Sequence, residues 1–207
     1  MNQQKKKRTG PAAVLTGAVL FLLLTLCVFG CSARSADAAL PQEELAKMSL
    51  EEAAPETVKS FLTLYSSCDT KSGEYVSGME GVQFPGLQAA IAKSLNYKIG
   101  EVRMVKNDDG TQYAVVETTI ETVSFRTAYE AALKEIPENA DSETILDAVQ
   151  AKLEKFSNSK RETFTSELIV LDFITTRKIQ PSSELSDALT GGMMRYISEQ
   201  VSGGVSE

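Results

Sequence analysis

Apolar positions change period several times along this chain, and each change predicts a new element. Residues 10–30 carry no charge and follow a head containing Lys5, Lys6, Lys7 and Arg8. Residues 32–42 are then small, polar and unpatterned, which reads as a flexible tether. Ser49 and Glu52 form a capping box that predicts a helix start, and Pro55 is expected to interrupt or restart that helix. Beyond it Val58, Phe61, Leu62 and Tyr65 fall at i, i+3, i+4 and i+7, one apolar stripe. The glycine-rich stretch 73–86 reads as loop, and 85–95 as a second helix with Leu87, Ile91 and Leu95 aligned.

The period then shortens to two. Residues 97–106 predict a strand, 107–110 (Asn-Asp-Asp-Gly) a turn, and 111–125 a long strand rich in Val and Thr. Helical spacing returns over 127–156. Tyr129, Ala132, Leu133 and Ile136 make one stripe, Pro137 ends it, and Asp141 or Ser142 caps a helix bearing Ile145, Val149, Leu153 and Phe156. Residues 161–179 predict the last strand region. Its centre, 168–174, is apolar on both faces except for Asp172, as expected of a strand covered on both sides. Ser183 is the expected cap of a final helical stretch through Leu185, Leu189, Met193 and Ile197, with Gly191-Gly192 as a joint and fraying from Val201. The chain thus divides into a leader at 1–30, a tether at 31–48, an α+β domain at 49–200 and a disordered tail at 201–207.

Charge narrows the partners. The chain holds 21 bases and 28 acids; setting aside the four bases of the leader leaves 17 against 28, a formal charge of −11. So acidic a domain repels phosphate backbones, and nucleic acid is excluded as a partner. There is no histidine, which removes the usual proton shuttle and the commonest nitrogen ligand for zinc. No nucleotide loop, dinucleotide fingerprint or metal-ligand spacing occurs, so no cofactor and no metal is expected. The Asn-Asp-Asp-Gly turn fails as a calcium loop because Val105 stands where the first acid belongs.

The leader has the layout of a secretory signal, a basic head and then an uncharged run. That run is about 20 residues, roughly 30 Å as a helix, so a retained signal anchor fits it too. Val28-Phe29-Gly30-Cys31 resembles a bacterial lipobox. Val28 and Gly30 match their positions, whereas Phe29 occupies a place where a small residue is usual. The resemblance implies cleavage between Gly30 and Cys31 and a lipid on Cys31, which would anchor the protein on the extracytoplasmic face of the membrane. Two acyl chains suffice for stable anchoring. Cleavage near 36–38 is a third reading, and Cys27 with Cys31 as a metal pair is the weakest, being half a zinc site. Cys68 then lacks a partner in the mature chain and reads as a buried structural thiol.

Asp172 is the one residue whose surroundings point to chemistry. A carboxylate in an apolar strand either faces a pocket, where burial raises its pKa, or meets an arginine or solvent at an edge. Tyr97 and Tyr113 would line such a pocket.

The segments "ETVKSFLTLYSSCD", "LNYKIGEVRMVKNDDGTQYAVVETTIETVSF" and "SSELSDALTGG" resemble the cystatin-like, nuclear-transport-factor-two-like domains of Gram-positive lipoproteins. The resemblance implies helices packed on a curved antiparallel sheet. It departs from the pattern in lacking a tryptophan and in the larger helical insert at 127–156. The function expected is a protein- or ligand-binding module at the cell surface. An enzyme of the same fold using Asp172, or a structural subunit docking through 127–156, are the alternatives.

Overall fold

The computed structural model describes residues 39–203. The leader, Cys27, Cys31, the Gly30–Cys31 bond and residues 204–207 lie outside the described residues.

The first described residues are already part of the domain. Helix α1 (Gln42–Leu45) buries Leu45 completely, and Leu40 and Met48 pack on the main core. The tether expected over 31–48 therefore gives way to packed structure by Leu40. A single buried residue per turn leaves no period to detect, which is why composition alone read this stretch as loose.

Helix α2 (Leu50–Ser66) starts at the Ser49 capping box, with Glu52 N–H donating to Ser49 Oγ and Ser49 N–H to Glu52 Oε2. It runs through Pro55 unbroken, against expectation. The ring forfeits only the bond to the carbonyl of Glu51, an exposed first-turn residue whose oxygen can meet water. The helix ends on Cys68, whose φ is 60°. Cys68 N–H bonds to Tyr65 O at 2.9 Å and Asp69 N–H to Leu64 O at 2.9 Å, a Schellman closure built on cysteine where glycine is usual. Cys68 is half-buried, not fully buried as expected.

After a 3-10 turn (Thr70–Tyr75) and helix α3 (Gly86–Ser94) comes a four-stranded antiparallel meander of order β1-β2-β3-β4. Its strands are β1 (Asn96–Lys106), β2 (Gln112–Val123), β3 (Arg161–Asp172) and β4 (Arg177–Ile179). The β1–β2 hairpin forms as predicted around Gly110, whose φ is 88°. A register shift between Ile99 and Val102 adds a bulge that bends β1.

One face of the sheet carries the main core. Ala114, Val116 and Ile120 of β2 and Leu168 and Val170 of β3 meet Val58, Phe61, Leu62 and Tyr65 of α2. The expectation that β3 is covered on both faces fails. Ser166, Leu168 and Val170 are buried, but Glu167 between them is exposed and Ile169 and Leu171 are only half-buried. Residues 173–176 are a turn, so 161–179 is a hairpin.

Between β2 and β3 run α4 (Phe125–Leu133) and α5 (Ser142–Phe156, capped by Asp141). With α3 they enclose a second core of Ile91, Val123, Phe125, Ala132, Val149 and Leu153. Leu133, placed in the stripe by sequence, is 43% exposed. Helix α6 (Ser183–Leu189) is capped by Ser182, one residue before the expected Ser183. Gly191 and Gly192, at φ 63° and 80°, form the expected joint, and α7 (Met193–Gly203) continues past Val201. A Cβ on Gly191 would lie 2.5 Å from the Val123 carbonyl oxygen, so the joint admits no side chain there.

Tyr65 ties α2 to α6 by donating its hydroxyl to Leu189 O at 3.2 Å, with Gln88 Nε2 in turn donating to Tyr65. Burial holds this phenol well above its ordinary range. Its neutral form belongs to the folded state, so its contribution is intact below the unfolded pKa of about 10 and declines as pH climbs toward the folded value. Urea midpoints across about pH 8–11 should fall at the alkaline end, and Tyr65→Phe should make that fall shallower.

Candidate functional site

Residues opposite one another on neighbouring strands share a face, and successive residues alternate. Tyr97 pairs with Ile120 and therefore lies on the helix-covered face, where its hydroxyl meets Thr63 Oγ1 at 2.7 Å. Tyr113 pairs with Val105 and Leu171 and lies on the other face. Asp172 ends β3 opposite Arg177, its side chain 44% exposed. The structure thus separates the three residues that the sequence grouped into one pocket.

Asp172 instead makes an ion pair with Arg177, Oδ1 to Nη1 at 2.5 Å. Arg177 is the buried partner, at 6% exposure. Its guanidinium also donates from Nη1 to Phe173 O at 3.0 Å and from Nη2 to Met48 O at 3.3 Å. Its backbone is gripped by the Gln42 side chain, with Arg177 N–H donating to Oε1 at 2.9 Å and Nε2 donating to Arg177 O at 3.0 Å. Arg177 therefore joins three things: the β3–β4 turn, the end of β3 and the segment 40–48. Neither the arginine nor the turn was singled out from sequence, because 173–176 (Phe-Ile-Thr-Thr) contains no turn-forming residue.

One contact surface is at this same end of the sheet, which holds the β1–β2 turn, the β3–β4 turn and the start of α2. An open groove of about 260 Å³ lies between α2 and the β1–β2 hairpin, lined by Ser49, Leu50, Met104, Lys106 and Gln112. On the uncovered face, Val105, Tyr113 and Leu171 form one cross-strand row, with Val115 and Ile169 in the next. None of the five belongs to either core cluster. Val115 is nonetheless only 5% exposed, sheltered where the Arg103–Glu167 ion pair (2.7 Å) spans β2. Beyond the row, Phe173 and Ile174 project at the turn, Ile174 fully exposed.

Among the described residues no three His, Cys, Asp or Glu side chains converge at metal-binding spacing. A second open groove of about 330 Å³, lined by Ser183, Glu184, Asp187, Met194, Arg195 and Ser198, separates α6 from α7. No protein-family model, curated protein or solved structure matches the chain.

The asymmetry of the ion pair yields a test. Arg177→Ala should cost about 2 kcal/mol, since it removes a buried side chain that holds Met48 O, Phe173 O and the Asp172 carboxylate together. Asp172→Asn should cost about 1 kcal/mol or less, because its carboxylate is partly solvated and Arg177 keeps its carbonyl acceptors. Urea unfolding of the two variants beside the parent chain measures the difference.

Proposed function

We propose that this chain is an extracytoplasmic lipoprotein, held on the membrane by lipid on Cys31, and that its domain is a binding module for a protein or small-molecule ligand. The observation that carries the reading is Val28-Phe29-Gly30-Cys31 at the end of an uncharged run headed by four bases. Among the described residues no helix is long and apolar enough to cross a membrane. Anchoring is therefore assigned to the leader or its lipid.

We assign the domain to the cystatin-like, nuclear-transport-factor-two-like class. Support comes from a helix that precedes an antiparallel meander and packs along one face of it. The binding surface proposed is the groove beside Met104 with the uncovered apolar row beyond it. The pairing of Asp172 with Arg177 weighs against the catalytic alternative, in which that carboxylate would be buried and unpaired.

The test is the intact mass of the protein extracted from its native membrane, with Cys31→Ala alongside. A chain beginning at Cys31 and carrying a diacylglyceryl group is expected, and the substitution should abolish both changes. A full-length mass indifferent to the substitution would overturn the lipoprotein reading in favour of a retained signal anchor.

A further inference from the structure

Strand β1 is long but shallow. It runs for 11 residues at the end of the sheet and pairs on one side with β2, while its other edge meets no strand among the described residues. None of its residues is buried, and Met104 is 38% exposed. The opposite edge of the sheet is closed, since the backbone of β4 bonds the Gln42 side chain and Ser77 N–H. An open edge offers a row of backbone N–H and C=O groups that another strand can bond.

The hairpin fixes which groups those are. Asn107 N–H bonds to Thr111 O at 2.9 Å, so Asn107 faces β2. Backbone direction alternates along an antiparallel strand, and β1 pairs without interruption from Val102 to Lys106. Val102, Met104 and Lys106 therefore turn their N–H and C=O outward. Their side chains share the helix-covered face, Val102 opposite Val116 and Met104 opposite Ala114. There Met104 and Lys106 line the groove beside Ser49 and Leu50. The bulge between Ile99 and Val102 ends this regular stretch. The free edge is thus Val102 to Lys106, with a side-chain groove alongside it.

Charge identifies the occupant. The molecule is acidic, but residues 96–110 hold three bases (Lys98, Arg103, Lys106) and three acids (Glu101, Asp108, Asp109). Of these six, Arg103 alone forms an ion pair among the described residues, with Glu167. A locally neutral edge is where two copies of an acidic domain can approach. Lysines on such an edge also repel strands that bring no acid to meet them. Two copies related by a two-fold axis pair antiparallel, and one register matches Val102–Lys106 with its own copy from end to end, Met104 opposite Met104 and Val102 opposite Lys106. With the extra residue of the bulge counted, that register sets Lys98 against the copy's Asp108–Asp109 turn and Lys106 beside the copy's Glu101. The axis repeats both contacts. A slip of two residues one way sets Arg103 against Arg103, and the other way carries Val102 past the end of the copy's strand.

We propose that the chain forms a two-fold dimer through the open edge of β1, joining two four-stranded sheets into one with Met104 of each copy at the axis. The proposal makes a second copy the occupant of the groove assigned above as a binding surface, and it rests on that part of the reading alone.

The test uses the full-length chain in detergent with Cys27→Ser, Cys31→Ser and Cys68→Ser, so that introduced cysteines report alone and no lipid is attached. Opposed residues of a hydrogen-bonded pair lie about 5.5 Å apart at Cα, within disulfide reach. Under mild oxidation Met104→Cys should give about fivefold more disulfide-linked dimer than Val102→Cys, whose copies stand roughly 14 Å apart in this register. Val102→Cys mixed with Lys106→Cys should recover the link. In sedimentation equilibrium of the cysteine-free chain, Lys98→Glu should raise the dimer dissociation constant about tenfold, because one change acts twice. A Met104→Cys that links no better than Val102→Cys overturns the proposal. If sedimentation then shows a monomer, self-pairing fails and the groove stays open to another ligand. If it shows a dimer, the copies meet elsewhere and the groove loses its role along with the proposal.

Discussion

The apolar stripe of α2 meets the alternate residues of β2 and β3, and most of the domain's order follows from that single contact. Val58, Phe61 and Leu62 are completely buried there. Each such side chain contributes about 1.5–3 kcal/mol when withdrawn from water, which no surface ion pair in the molecule approaches. Because side chains alternate along a strand, one residue of slip in β2 would turn Ala114, Val116 and Ile120 outward and Tyr113, Glu117 and Glu121 into the core. The stripe therefore fixes the register of β2, and β2 fixes its neighbours. Leu45, Val76 and Ile179 then close the edge of the same core beside β4.

The second core is held by different means. Phe125, Val149 and Leu153 pack tightly against Ile91, but α7 leans on that cluster mainly through Met193 and Tyr196. Its other attachments include the ion pairs of Arg126 with Glu199 and of Arg195 with Glu162 and Asp187, together with the Arg126 guanidinium 5.1 Å from the centre of the Tyr196 ring. Exposed pairs of this sort contribute little each and weaken with salt. Met194, Ile197 and Val201 stay on the outer side of the helix. The C-terminal helix is therefore the element expected to open first.

Much of this was legible in the sequence. The α2 stripe, the capping boundary at Ser49, the 107–110 turn, the Asp141 cap and the glycine joint all appear where local chemistry places them. What escaped was settled by contacts distant in sequence. Leu45 is one apolar residue in a polar stretch until Tyr75 and Arg177 come to meet its segment. Pro55 reads as a breaker unless one sees that the carbonyl it orphans is in solvent. Cys68 gives no sign that it will adopt the left-handed conformation of a helix cap. Asp172 looked isolated because its partner lies across a turn made of residues that do not normally make turns. For the same reason the candidate site was misplaced, since periodicity over 161–179 could not show that the chain doubles back at Phe173.

The clamp of Gln42 on Arg177 also defines how the domain would bear a load. A pull on the chain ahead of Leu40 reaches that residue first and then works along residues 40–48. That segment is attached through the Leu40 N–H bond to Ser60 Oγ, the Tyr75 hydroxyl, three Gln42 bonds, the Arg177–Met48 bond and the buried Leu45 side chain. Pulled in sequence, these attachments yield one after another rather than all at once, the Leu40 bond to Ser60 of α2 among the first. Their release would add nine residues of slack, up to about 30 Å. A fixed strap of this kind acts as a mechanical fuse: the chain can lengthen under tension while the domain keeps most of its core.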